Sequence, residues 1–141
     1  MKRKFKILVI TEIKHINNVE ENIKKLGVIR YLKEPTYNQV SKIISSYDVI
    51  FTNPNKSKVS IDKRLINKAK NLKIICTAST GTSHVDVNYA KKLNIKIIFL
   101  KEEKKIINKI SSTSELAFAL LLASKRNLFP SLISVKNYSW D

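Results

Sequence analysis

The chain has 141 residues, 43% of them hydrophobic, with 27 Lys and Arg against 11 Asp and Glu and a formal net charge of +16; this is enough for one domain with its own core. A single cysteine, Cys76, excludes an internal disulfide framework and fits a reducing, cytoplasmic setting. The charge rests on 23 lysines and 4 arginines scattered over nearly every segment, whereas nucleic-acid surfaces lean on arginine for bidentate contacts. Nucleic acid is therefore not the expected partner, although a basic field favours small anionic substrates.

No run approaches the ~18–20 apolar residues of a membrane-spanning helix, so no membrane is expected. The opening MKRKFKILVI has too short an apolar run for a signal sequence, and Thr11-Glu12 closes it. Phe5 to Ile10 reads instead as a buried first strand. A helix follows, with Ile16, Val19, Ile23 and Leu26 at helical spacing, Asn18 as cap and Gly27 as stop. Val28 to Leu32 is the second strand. Thr36 and Gln39 form a capping-box pattern for a helix that turns Val40, Ile43 and Ile44 inward. Asp48 to Phe51 is a short third strand, and Asn53 to Lys58 a polar loop. Ser60 is positioned to cap a helix carrying Ile61, Leu65, Ile66 and Ala69 on one face.

Leu72 to Cys76 is the fourth strand. It runs into the loop Ser79 to Ser83, which is expected to open a helix over Val85 to Leu93, with Ser83 and Asp86 as a short capping pair. Ile95 to Leu100 is the fifth strand. Apolar strands alternating with helices predict an α/β fold, a flavodoxin-like parallel five-stranded sheet with helices on both faces. Past Leu100 the pattern changes. Ser112 and Glu115 read as another capping box, which is the expected role of Glu115. Leu116 to Ala123 is apolar on nearly all sides, as in a helix buried against several neighbours. Pro130 begins a last helical segment ending at Trp140-Asp141. A boundary therefore falls near residues 101–110, giving units 1–105 and 106–141.

Ligands of open parallel sheets bind beyond the carboxyl ends of the strands, where Ser79, Thr80 and Gly81 lie. Gly81 would permit a left-handed backbone and close approach, and the next helix would offer free N–H groups to an anion. An ordinary tight turn with caps fits the same residues. His15 could face the cleft and His84 lies at a helix start, but both read as surface or cap-region histidines. Cys76 ends a buried strand without a partner histidine and reads as core. No spacing of His, Cys, Asp and Glu suggests a metal site.

The pieces NLKIICTASTGTSHVDV, KLNIKIIFL, STSELAFALLLASKRN and VKNYSW, in this order and spacing, resemble the D-isomer-specific 2-hydroxyacid dehydrogenases, the family that includes phosphoglycerate dehydrogenase. The resemblance covers residues 71–141 well and the first 70 only through the fold pattern. It implies a two-domain oxidoreductase that closes on a small anionic 2-hydroxy or 2-oxo acid, with NAD held by a Rossmann domain. It implies that Ser79, Thr80 and Gly81 approach the substrate carboxylate through their backbone, that Thr80 also lies near the nicotinamide, and that Asn53 faces the cleft. Asn53 stands where some relatives carry an arginine, and Thr77 stands where the family has another. Residues 1–105 would then be the substrate-binding domain. Residues 106–141 would begin the cofactor domain with a helix crossing between domains, pairing two copies through Leu116, Leu120 and Leu121. The family's catalytic Arg, Glu and His follow a glycine-rich fingerprint, which a chain whose glycines are Gly27 and Gly81 cannot form. The expectation is a substrate-side fragment, inactive alone, that binds NAD weakly or not at all. The competing reading is a non-enzymatic flavodoxin-like module acting through its basic surface or the apolar 116–123 helix.

Overall fold

A computed structural model describes residues 4–139, and the chain divides into two compact units, one ending at Glu103 and the next starting at Lys104. The expected end of the last helical segment at Trp140-Asp141 lies outside the described residues. The first unit is built on β1 (Phe5–Val9), β2 (Gly27–Tyr31), β3 (Val49–Thr52), β4 (Ile74–Thr77) and β5 (Lys96–Phe99). All pair in parallel in the order β2-β1-β3-β4-β5, the flavodoxin-like order, whose direction reverses between β1 and β3. The connecting helices are α1 (Val19–Leu26), α2 (Tyr37–Ile43), α3 (Lys63–Lys68) and α4 (Val87–Lys92).

Alternation along the strands divides the apolar side chains between two faces. Leu8, Ile50 and Ile75 pack with Val40 of α2, Leu65 and Ile66 of α3 and Ala90 of α4. Ile7, Val9 and Val49 pack on the other side, with Val19 and Ile23 of α1 against them. Cover is unequal. Leu8, Ile50 and Ile75 are fully buried, whereas Phe51, Ile74, Cys76 and Ile98 are half-buried.

Asp48 fastens the amino edge of the sheet. It is 2% exposed, and its Oδ2 accepts the Lys6 N–H at 2.9 Å. Its own N–H donates to the Lys6 carbonyl, and its carbonyl accepts from the N–H groups of Lys73 and Ile74. One residue thereby ties β1, β3 and β4 together before their ladders begin.

The Thr36–Gln39 capping box forms in full, with Gln39 N–H on Thr36 Oγ1 at 3.3 Å and Thr36 N–H on Gln39 Oε1 at 2.8 Å. Other helix ends depart from expectation. Asn18 sits before α1 in the left-handed region (φ 63) and its side chain makes no capping bond. Gly27 does not stop α1 by a left-handed turn, since its φ of 177 is extended backbone open to any residue. It is glycine because a Cβ would collide with the Phe5 carbonyl oxygen of β1. The cap of α3 is Asp62, not Ser60: Asp62 Oδ1 accepts from Leu65 N–H and from the Tyr37 hydroxyl, each at 2.8 Å. The chain is not yet helical at Ser60, because Ile61 bridges to Val85. For the same reason α4 begins late, capped by Asp86 on Tyr89 N–H at 2.9 Å rather than by Ser83.

The second unit comprises α5 (Lys104–Ile107), α6 (Ser112–Lys125) and α7 (Leu128–Lys136). Asn127 turns the chain between α6 and α7 with φ 48, which Asn tolerates better than most residues. The residue before α6 is Ser111 rather than Ser112, and its hydroxyl donates to Glu115 at 2.5 Å; Glu115 is bound at the helix start through a different serine. Neither α6 nor α7 has a buried residue, and Leu116, Leu120 and Leu121 are 60%, 55% and 62% exposed. By length and composition alone, Lys104–Lys125 passes as a membrane span. However, α6 is uninterrupted for only 14 residues, about 21 Å of helix, against the ~30 Å of a hydrocarbon core.

Replacing Asp48 by alanine strands the Lys6 N–H and should cost about 1–3 kcal/mol in urea unfolding. Asp48→Asn, which keeps an acceptor, should recover most of that loss; equal damage by both substitutions would mean that charge rather than the backbone bond is what counts.

Candidate functional site

Three strands end alike, as LVIT (Leu8–Thr11), VIFT (Val49–Thr52) and IICT (Ile74–Thr77). The threonines stand at the carboxyl edge of the sheet, around the reversal of strand order where a crevice opens. Among the described residues, the buried side-chain polar atoms without a hydrogen bond are Thr11 Oγ1, Thr52 Oγ1 and His84 Nδ1. All belong to this edge: Thr11 follows β1, Thr52 closes β3, and His84 is bonded to Thr77 at the end of β4. Buried polar groups are ordinarily satisfied by protein or by ordered water. Their concentration at one edge marks where hydrogen-bonding capacity is left over.

Ser79, Thr80 and Gly81 lie in the loop that leaves β4, but that loop does not open a helix. α4 starts only at Val87, beyond the Ile61–Val85 bridge, so the expected contribution of a helix N-terminus is absent. No described glycine has positive φ, so Gly81 is not serving a left-handed turn. A Cβ on it would meet nothing within 4 Å, and the space before it is open.

The loop offers its own backbone instead. The Ser79 carbonyl accepts from Leu100 N–H at 3.0 Å, Thr82 from Val85 N–H at 2.8 Å and His84 from Ile61 N–H at 2.8 Å. The Gly81 carbonyl accepts from Ser79 Oγ at 2.7 Å. By contrast, the N–H groups from Ser79 to His84 find no acceptor among the described residues. A stretch with most of its carbonyls engaged and its amides free presents positive partial charge, the backbone arrangement that suits an anion.

Side chains hold this arrangement. Thr77 Oγ1 lies 2.8 Å from Ser79 Oγ and 2.9 Å from His84 Nε2. The single Ser79 hydroxyl proton goes to the Gly81 carbonyl, which can only accept. Ser79 Oγ must then accept from Thr77, and Thr77 Oγ1 must accept from His84. This fixes His84 as the Nε2–H tautomer, with Nδ1 a bare acceptor. Burial pushes the His84 pKa below its ordinary value, which keeps the ring neutral at neutral pH.

Asn53 leaves β3 beside this loop, because Ala78 N–H donates to the Thr52 carbonyl at 3.0 Å. Its side chain is engaged in its own turn, Oδ1 accepting Asn55 N–H at 3.0 Å. A groove of about 730 Å³ lies one loop further, between Glu34–Tyr37 and Pro54–Lys58. It does not include Ser79, Thr80 or Gly81, and the unmet hydrogen-bonding groups of Thr11, Thr52 and His84 are not among its lining residues. Thr80 is exposed and makes no side-chain hydrogen bond, and His15 is exposed. Cys76 is half-buried, and burial raises its thiol pKa, the opposite of an activated nucleophile. Thr52, Thr11 and the part played by His84 escape a reading by motif. Their available signal was the apolar-to-threonine ending repeated on three strands.

The order of the sheet and the free amides at its carboxyl edge define a doubly wound α/β domain with a backbone-lined ligand edge. Residues 7–102 match the family described as D-isomer specific 2-hydroxyacid dehydrogenase, catalytic domain, and the chain belongs to that family. It is 33% identical over 104 residues to the hydroxypyruvate reductase of Thermotoga maritima, covering 74% of this chain and 31% of that protein. It is 27% identical over 129 residues to the formate dehydrogenase of Candida boidinii, covering 83% and 34%. The fold matches D-lactate dehydrogenase from Aquifex aeolicus, solved with NAD and lactic acid, with TM-score 0.72 at 20% identity, covering 96% of this chain and 38% of that one. The chain thus spans about a third of the length of these curated relatives.

The residues present do not fit a dinucleotide. A pyrophosphate site of the Rossmann type needs a glycine-rich turn between strand and helix. The segment between β1 and α1, Ile10–Asn18, has no glycine, and Gly81 does not lead into a helix. No chemical step through NAD is assigned to these residues.

Cys76 should react with a disulfide reagent at neutral pH far more slowly than free cysteine and reach full reactivity only on unfolding. Rapid labelling of the folded chain, read by absorbance, would contradict its half-buried, protonated state.

Proposed function

We propose that this chain supplies the substrate-binding side of an NAD-dependent oxidoreductase acting on the CH–OH group of a small D-2-hydroxy acid. The observation that carries the reading is the loop Ser79–His84, where the carbonyls of Ser79, Gly81, Thr82 and His84 are engaged while the N–H groups are free. Backbone amides suit a carboxylate, the group common to formate, hydroxypyruvate and lactic acid, the compounds for which the relatives are named or with which one was solved. In this reading Ser79, Thr80 and Gly81 grip the carboxylate, Thr80 borders the nicotinamide, and Asn53 closes the cleft beside them. The hydride chemistry would belong to the cofactor and to residues of a glycine-rich domain, which this sequence does not contain. The chain by itself would therefore bind without turnover. Its setting is the cytoplasm, on the strength of the unpaired Cys76. The acid is phosphoglycerate-like or smaller; the site loop favours a carboxylate and carries no arginine for a second anion. Exposure of Leu116, Leu120 and Leu121 supports a homodimer through α6.

Two measurements test this. Titration of the ¹⁵N-labelled chain with glycolate, D-glycerate and 3-phosphoglycerate should shift the amides of Ser79–His84 and persist from about 50 to 200 mM salt. Shifts confined to scattered lysines and lost over that range, as for phosphate-driven binding, would overturn the carboxylate reading. In light scattering the chain should self-associate, and Leu116→Glu with Leu120→Glu should abolish it; a monomer at high concentration before mutation would remove the dimer.

A further inference from the structure

We infer that His84 is a positioning residue: through Thr77 and Ser79 it holds the Gly81 carbonyl away from an incoming carboxylate and leaves the loop amides free to receive it. This rests on the carboxylate reading above. The geometry is a one-way chain of donors, His84 Nε2–H to Thr77 Oγ1 at 2.9 Å, Thr77 to Ser79 Oγ at 2.8 Å, and Ser79 to the Gly81 carbonyl at 2.7 Å. Its direction is set at the far end, by a carbonyl that cannot donate. Without the His84 proton, Thr77 loses its donor and can satisfy its own oxygen only by turning from Ser79. Ser79 then loses the donor that fixes the direction of its hydroxyl, and the Gly81 carbonyl, held less firmly, can swing toward the ligand, where it repels a carboxylate.

His84 is itself held from outside the chain of donors. Its carbonyl accepts from Ile61 N–H at 2.8 Å and from Ser60 Oγ at 3.3 Å. Thr77 is 2% exposed and sits in register with Thr52 on β3. The chain of donors therefore starts from rigid sheet and bridge positions and ends on exposed Gly81, which is how a mobile loop is given a fixed orientation. Nδ1 is buried and unpartnered, so it offers no competing bond that would turn the ring.

The ¹⁵N shifts of the imidazole in the 141-residue chain report the tautomer directly. They should show protonated Nε2 and bare Nδ1 at neutral pH; the opposite tautomer or an imidazolium overturns the inference. Glycolate is the binding probe. Thr77→Val, which keeps shape and removes the hydroxyl, and His84→Leu should each weaken glycolate binding about tenfold, the worth of one well-placed hydrogen bond. Thr77→Ser and His84→Gln, whose amide reaches the Nε2 position, should stay within about twofold. The two disruptive changes combined should be no worse than either alone, since they break one path. Unchanged affinity in folded Thr77→Val overturns the role, and that variant decides if His84→Leu does not fold. If the parent chain does not bind glycolate, the carboxylate reading fails by itself. The relay is then judged by the tautomer and by the ¹⁵N order parameters of Thr80 and Gly81, which should fall in Thr77→Val and be restored in Thr77→Ser.

Discussion

The ladder between β3 and β4 governs everything at the carboxyl edge. Its register sets Val49 against Ile74 and Thr52 against Thr77, and Asp48 starts it by accepting the N–H groups of Lys73 and Ile74. Side chains two residues apart on a strand share a face, so Ile50 and Ile75 bury in the core while Thr52 and Thr77 lie on the same face at its rim. The last rung, Ala78 N–H to the Thr52 carbonyl, then releases both chains into the loops of Asn53 and Ser79. A slip of one residue would turn the threonines to the opposite face and bring Cys76 to where Thr77 meets His84. The polar rim depends on an apolar register set at the other end of the strands.

The fold was legible because its signals were redundant. Each strand is an apolar run, each helix between them has apolar residues at helical spacing, and the parallel order follows from the alternation. The loop Ser79–Gly81 was legible as a place but not as a mechanism. Reading it as the opening of a helix failed because Ile61 pairs with Val85, a contact 24 residues apart that no local pattern encodes. That single bridge moved two caps, from Ser60 to Asp62 and from Ser83 to Asp86. Gly27 failed differently: the position was right and the reason wrong, since only the close approach of β1 and β2 shows why a Cβ is excluded. His84 reads as a cap-region histidine because its partner, Thr77, lies in the preceding strand, outside the local pattern of the loop.

The two units place their apolar residues differently. In the first, fully buried side chains gather on the face covered by α2, α3 and α4. On the other face, Phe51, Ile74, Cys76 and Ile98 are half-buried. In the second, α6 is apolar around most of its circumference and has no buried residue. A helix with so little polar surface gains nothing from water on any side. Its sequence is that of an interior element, yet its apolar side chains stand exposed.

The distribution of charge bears on how the carboxyl edge would select its ligand. A chain with 23 lysines places neither lysine nor arginine anywhere from Ile74 to Ala90. The stretch contains the whole candidate loop. If anions were captured here by ion pairing, this would be the last segment to lack cations. At physiological ionic strength the field of distant lysines fades over roughly 8 Å, so it can enrich small anions near the surface without orienting them. Orientation falls to the amides, whose direction is fixed by where their carbonyls are tied. Such a site distinguishes the planar, two-oxygen shape of a carboxylate from a mere negative charge, because a hydrogen bond weakens steeply off its axis. Selection by direction therefore requires a loop that does not move, and the donor chain from His84 is what the structure provides to hold it.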